Sequence, residues 1–129
     1  MEDTSELRAL SSGRVDPLHP GHIVNIIRMA QKYKSVKYII LNNKARRFPI
    51  DYCLQLLDEI FSVIPLKIEF IVNTVHFGEI NRQELDSYGC DIYVGGNIQV
   101  LRHIELLGFP VHYIERAYEY TASDIPLPK

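Results

Sequence analysis

The residues best equipped for chemistry lie together in Gly13-Arg14-Val15-Asp16-Pro17-Leu18-His19-Pro20-Gly21-His22. A glycine-containing turn after a strand exposes backbone N–H groups, and a helix that follows adds its positive N-terminal end, so the pair forms a ready phosphate site. His19 and His22, three residues apart at that helix start, can both face one phosphate. Each imidazole can donate a hydrogen bond, and a protonated ring adds charge. Gly21 removes a side chain where a ligand would approach. The same residues would also serve as a polar turn capping a helix, and the segment alone leaves both readings open. Metal binding is not expected, because no third or fourth ligand stands at a usual spacing.

The surrounding sequence predicts what must hold this segment. Leu7 to Ser11 reads as a short strand, and His22 to Lys34 as a helix with Ile23, Ile26, Ile27 and Ala30 at helical spacing. Val36 to Leu41 is a continuous apolar strand of the doubly buried kind. The basic loop from Asn42 to Arg47 leads to a helix over Ile50 to Val63, stopped by Pro65. Further strands are expected at Lys67–Val72, Asp91–Val94 and Val111–Ile114, with helices at Asn81–Tyr88 and Ile98–Leu107. Gly89 and Gly108 stand where helices usually stop. Strand and helix alternating in this way predict a Rossmann-like, doubly wound α/β fold: a five-stranded parallel sheet with helices on both faces. Ligands of such sheets sit beyond the carboxyl ends of the strands, at the topological switch point. The loops at 12–22, 42–49, 73–80, 95–98 and 115–123 are therefore the ones to watch.

Composition narrows the function. The 129 residues, 47% hydrophobic and 23% charged, suit one domain spanning 1–129 with a real core. Fourteen basic against sixteen acidic residues leave a net charge of −2, so no bulk field draws the chain to nucleic acid or to an anionic membrane. No apolar run approaches the ~20 residues that span a bilayer, and the acidic start does not resemble a signal peptide. A cytoplasmic protein is expected. The two cysteines, Cys53 and Cys90, are read as small core residues.

Three segments together resemble a known family. Gly13-x-x-Asp16-Pro17-x-His19-x-Gly21-His22 is similar to the G-x-F-D-P-x-H-x-G-H signature of the HxGH nucleotidyltransferases. That superfamily includes small cytidylyltransferases and the pantetheine-phosphate, nicotinamide-mononucleotide and heptose-phosphate adenylyltransferases. Asp91-Ile92-Tyr93-Val94-Gly95-Gly96-Asn97 resembles its fourth-strand segment ending in G-G-D, G-D-D or G-N. Arg116-x-x-x-Tyr120-Thr121-Ala122-Ser123-Asp124-Ile125 resembles its R-x-x-x-[IY]-S-[TG]-[ST]-x-I element.

The resemblance implies transfer of CMP or AMP from CTP or ATP to a small phosphorylated acceptor, with release of pyrophosphate and a slight lean to cytidylyl transfer. His19 and His22 would hold the triphosphate and stabilise the transition state. Lys44 stands where the family carries an acceptor- or phosphate-binding lysine, and Arg116 would pair with a phosphate oxygen. Gly13, Arg14, Asp16, Gly21, Gly95, Gly96 and Asn97 would shape the nucleotide site. Thr121 and Ser123 would bind the outer phosphates. Mg²⁺ would arrive with the triphosphate. The expected partners are these two substrates, and the Tyr and Ile content is compatible with a homodimer.

The chain departs from the pattern at several positions. Val15 stands where the motif has phenylalanine, and Arg14 adds a cation. Pro126 occupies the place of a phosphate-binding arginine, and the helix at 50–63 carries no arginine. Arg46 or Arg47 could supply the missing charge. The alternative function is accordingly a catalytically weakened, nucleotide-binding or regulatory homologue. Asp16 could also be a turn residue, and Thr121 and Ser123 helix caps. His76, His103 and His112 match nothing in the pattern and are read as structural.

Overall fold

The computed structural model describes residues 4–16, 18–42 and 45–115. After a short 3-10 turn at Thr4–Glu6 come β1 (Arg8–Gly13), α1 (Pro20–Lys32), β2 (Ser35–Leu41) and α2 (Ile50–Phe61). Then follow β3 (Ile68–Asn73), α3 (Arg82–Ser87), β4 (Ile92–Gly95), α4 (Ile98–Leu106) and β5 (Val111–Tyr113). The strands form one sheet in the order β3-β2-β1-β4-β5, and every neighbouring pair is parallel. This is the expected Rossmann-like α/β architecture. The chain winds outward from β1 through β2 to β3, then returns across the sheet to β4. The switch point therefore lies between β1 and β4.

Alternation along the strands sends side chains to two cores. Ala9, Val36, Tyr38, Ile40 and Val94 pack with Ile26 and Met29 of α1 and Cys53 and Leu57 of α2 on one face. Leu10, Ile39 and Tyr93 pack with Leu85 of α3, Leu101 and Ile104 of α4, and Phe77 on the other. Both faces are covered, which is why β2 reads as a nearly unbroken apolar run.

Two element boundaries matter for the site. β1 continues to Gly13, past the expected end at Ser11, because its ladder with β2 runs through Ser12 opposite Ile39 and Gly13 opposite Ile40. A Cβ on Gly13 would collide with the buried Tyr38 hydroxyl, so glycine lets the strand end pass that ring. α1 begins at Pro20 instead of His22, with His19 as its cap. Proline at the first helical position costs no hydrogen bond, since that N–H has no helical partner, and its φ is already helical.

Candidate functional site

A cleft of about 470 Å³ opens at the carboxyl ends of β1 and β4, over the switch point. Its walls include Ser11 to Asp16, His19, Gly21, His22 and Asn25 from the first connection and α1. Gly95, Gly96 and Asn97 come from the end of β4, and His76, Phe77 and Gly78 from the β3–α3 connection. Ser11, Asp16 and His19, all lining this cleft, are the buried polar or charged residues among those described.

The histidine pair is fixed by the helix it begins. Nδ1 of His19 accepts the Gly21 N–H at 3.1 Å, and Nδ1 of His22 accepts the His19 N–H at 3.2 Å. The two bonds form a reciprocal capping box that satisfies backbone donors of the first turn. The rings stack with centroids 3.8 Å apart, tilted by 33°. Because each Nδ1 is an acceptor, the proton of each neutral ring sits on Nε2. The capping and phosphate-binding readings of this segment are thus compatible, because they use different nitrogens.

The floor of the cleft is tightly packed. A Cβ on Gly96 would lie 3.1 Å from the Ile114 carbonyl oxygen, so the strand end must stay bare there. Asn97 caps α4 by accepting the N–H groups of Gln99 and Val100 at 3.0 and 3.3 Å. The N-termini of α1 and α4 therefore both open on one cleft, and their dipoles favour an anion there. Ser12 shares a 2.5 Å hydrogen bond with Tyr93, whose hydroxyl burial pushes up to about 12 against a smaller opposing effect of that bond. Tyr38 is likewise raised, mainly by burial, so both phenols stay neutral. The buried Asn25 Oδ1 has no hydrogen-bond partner among the described residues.

The loop after β2 is tied to the loop after β1. Asp16 accepts the backbone N–H groups of Arg47 at 2.7 Å and Phe48 at 2.9 Å. Arg46 sends Nε to the Phe48 carbonyl, Nη1 to the carbonyls of Arg14 and Leu41, and Nη2 to that of Val15. Arg14 in turn donates to the Ala45 carbonyl at 2.9 Å and lies 3.9 Å from Asp16. Between them Val15 adopts φ of +44°, a left-handed conformation that strains a β-branched residue. That backbone persists because the loop contacts on both sides hold it.

The predicted site residues therefore separate into groups. Gly13, Arg14, Asp16, His19, Gly21, His22, Gly95, Gly96 and Asn97 all line the cleft. Asp16, however, spends both carboxylate oxygens on backbone N–H groups and acts as a latch between loops. Arg46 is not a spare cation for phosphate, because its guanidinium is committed to four carbonyls. Lys44, Arg116, Thr121 and Ser123 lie outside the described residues, as does Pro126. His103, read as structural, donates from Nε2 to the Ile80 carbonyl at 2.7 Å, and His112 lies 3.4 Å from the Lys32 ammonium. His76, also read as structural, accepts the Gly78 N–H within its turn and in addition lines the cleft, a place that its H-x-G spacing, shared with His19, could have signalled.

Among the described residues no group of three or more His, Cys, Asp or Glu is placed to hold a metal ion, and no helix is long and apolar enough to cross a membrane. Cys53 is buried and Cys90 half-buried; burial raises both thiols.

No family model and no curated protein matches the sequence. Solved structures do match. A lipopolysaccharide core biosynthesis protein from Thermoplasma volcanium superposes with a TM-score of 0.62 at 19% identity, covering 87% of this chain and 98% of that one. A bifunctional NMN adenylyltransferase/ADP ribose pyrophosphatase from Francisella tularensis gives 0.71 at 16% identity, covering 92% of this chain but 40% of its own. Pantothenate synthetase from Thermus thermophilus gives 0.58 at 15% identity, over 85% of this chain and 55% of that one. The chain thus shares its fold with these proteins, and spans less than two-thirds of the latter two.

Proposed function

We propose that this chain is a nucleotidyltransferase that moves CMP or AMP from CTP or ATP to a small phosphorylated acceptor and releases pyrophosphate. One observation carries the reading: two stacked imidazoles, each with Nδ1 tied to backbone, at a helix N-terminus over the switch-point cleft. Their Nε2–H groups are the right donors for phosphate oxygens, and they are fixed before any ligand arrives, so no reorganisation is needed at the moment of reaction. The shared fold with an NMN adenylyltransferase supports the same class.

In the reaction, the acceptor's phosphate oxygen attacks the α-phosphorus, and the protein's work is positioning and charge stabilisation. His19 and His22 hold phosphate oxygens where negative charge accumulates. Gly95 and Gly96 let the strand end pack against the Tyr93 ring and the Ile114 carbonyl where the nucleotide would lie, and Gly13 lets β1 pass the Tyr38 hydroxyl. The described residues offer too few carboxylates in one place for a metal cage, so Mg²⁺ would be held chiefly by the triphosphate it accompanies and would neutralise its charge. By resemblance, Lys44 and Arg116 add cationic contacts, and Thr121 and Ser123 bind the outer phosphates.

A weakened homologue is the second reading, favoured by the commitment of Arg46 to carbonyls and by the lack of any cation in α2. The test is thermal shift with ATP, CTP, GTP and UTP plus Mg²⁺, followed by pyrophosphate release with phosphorylated acceptors. The acceptors would include nicotinamide mononucleotide, pantetheine phosphate and heptose phosphates. A nucleotide at a hundred times its Kd adds about 2.7 kcal/mol of stability. Binding with turnover supports the enzyme, binding without it the weakened homologue, and absence of both removes the two readings together.

A further inference from the structure

The β3–α3 connection repeats the local arrangement found at His19. In His19-Pro20-Gly21 and in His76-Phe77-Gly78, the histidine Nδ1 accepts the N–H of the glycine two residues on, at 3.1 Å in each case. The proton of neutral His76 is thereby placed on Nε2. The turn is anchored by Phe77, which is 2% exposed and packs 5.5 Å from the Tyr93 ring and 6.0 Å from that of Tyr88. A Cβ on Gly78 would come within 2.9 Å of His76 Cε1, so the imidazole occupies the space a side chain would take.

All three residues line the cleft. They reach it from the opposite side of the sheet to the histidine pair. Met29 of α1, the helix that His19 and His22 begin, packs in one core, whereas Phe77 belongs to the core on the other face. Right-handed crossovers require this, since the chain moves one way along the sheet from β1 to β2 and the other way from β3 back to β4.

Displacement at phosphorus places the entering and leaving oxygens roughly in line, on opposite sides of the phosphorus atom. With the triphosphate on the α1 wall, the entering group needs a donor on the other. We propose that His76 is that donor, a specificity residue whose Nε2–H holds the phosphate of the acceptor; the inference rests on the nucleotidyl-transfer reading. An acceptor phosphate oxygen forms the new bond to the α-phosphorus. The bond from that phosphorus to the α–β bridging oxygen breaks, and pyrophosphate leaves with the electron pair. His76 contacts a phosphate oxygen that does not attack, and keeps its proton throughout.

Three variants isolate this role. His76→Asn preserves an acceptor for the Gly78 N–H but removes the donor at Nε2. His76→Gln restores a donor near that place, and Gly78→Ala keeps the imidazole but displaces it. Loss of one hydrogen bond to a charged group predicts that His76→Asn raises the acceptor KM about 10- to 100-fold. The nucleotide KM stays unchanged, Gly78→Ala acts in the same direction, and His76→Gln recovers part of the loss. If His76→Asn moves the nucleotide KM, or neither, the assignment falls while the histidine-pair reading stands. If instead His19→Ala leaves turnover intact, it is that reading which fails.

Long-range ¹H–¹⁵N spectra of the histidine rings decide the matter if the wild type shows no turnover. Inorganic phosphate, standing in for the acceptor's phosphate and added with saturating nucleotide, should shift the His76 Nε2 resonance. No shift overturns the proposal.

Discussion

Arg46→Met tests how much of the tie between the two loops framing the cleft, which Asp16 and Arg14 also join, rests on one guanidinium. Methionine keeps the apolar stem and deletes donors to the carbonyls of Phe48, Arg14, Leu41 and Val15. A hydrogen bond from a charged group contributes about 1.5–3 kcal/mol, but four from one partly exposed group do not add, and water replaces some of them; about 4 kcal/mol is a reasonable total. Against this, Val15 sits at φ +44°, and a left-handed non-glycine residue costs about 1–3 kcal/mol, part of which is relieved once the loop is released. The net expectation is a loss of about 2–3 kcal/mol, or about 6–15 °C in Tm for a chain of this size. Urea unfolding and a thermal scan measure it. Arg46→Lys should lose nearly as much, because a point charge cannot reach carbonyls on both loops as the planar fork does. The nucleotide-induced thermal shift should fall in both variants, since the released loop carries Asp16 and leads into His19. A loss below about 1 kcal/mol in Arg46→Met, with the nucleotide shift intact, refutes the argument.

His19→Asn separates capping from chemistry. Asparagine is an excellent N-cap, so its Oδ1 takes over the Gly21 bond and Tm stays nearly unchanged, whereas pyrophosphate release falls about 10²–10³-fold with the lost donor. Turnover equal to wild type would make His19 a cap alone. Gly13→Ala drives a methyl into the Tyr38 hydroxyl and should cost about 1–3 kcal/mol by urea unfolding; in a Tyr38→Phe background the cost should shrink, and an unchanged cost would assign it elsewhere. His112 is depressed below its ordinary 6.5 by burial first and by Lys32 second. The unfolded chain therefore binds its proton more readily, and stability present above about pH 6.5 is lost as pH falls through the folded value. His112→Gln should flatten the urea midpoint between about pH 7 and 5, and a profile identical to wild type would contradict this.

The elements were legible because each carries a local signal. Ile23, Ile26, Ile27 and Ala30 at helical spacing mark α1, the apolar run of β2 marks a strand buried on both faces, and Gly89 and Gly108, with φ of +70° and +80°, mark helix ends. The position of the cleft beyond the strands' carboxyl ends followed from the parallel sheet that such alternation implies, whereas the strand order that sets the switch point between β1 and β4 did not. What the sequence hid lies in contacts between loops. Asp16 bonds to residues 31 and 32 positions later, and Arg46 to carbonyls up to 32 positions earlier. Asp16 therefore read as a ligand contact or a turn residue, and Arg46 as spare charge, because neither partner is encoded nearby. His76 was missed for a different reason. Its turn is local and visible as H-x-G, but its presence in the cleft depends on the β3–α3 crossover passing over β1.

The two readings left open for His19 and His22, helix cap or phosphate ligand, are joined by the chemistry of imidazole. A serine or asparagine cap carries its donor on the same atom as its acceptor or on the same carbon, close against the helix end, whereas imidazole places acceptor and donor on separate edges of one rigid ring. Using Nδ1 to cap α1 removes the tautomeric ambiguity and the rotational freedom of the side chain together. The cost of ordering both donors is then met by folding instead of by ligand binding. Stability and preorganisation are thereby coupled at this site. Frayed α1 should bind nucleotide poorly even with both imidazoles present. Pro20→Gly, which loosens the first turn without touching either ring, should weaken the nucleotide-induced thermal shift more than it lowers Tm. A shift that survives Pro20→Gly unchanged would show that the histidines are ordered by the ligand and not by the helix.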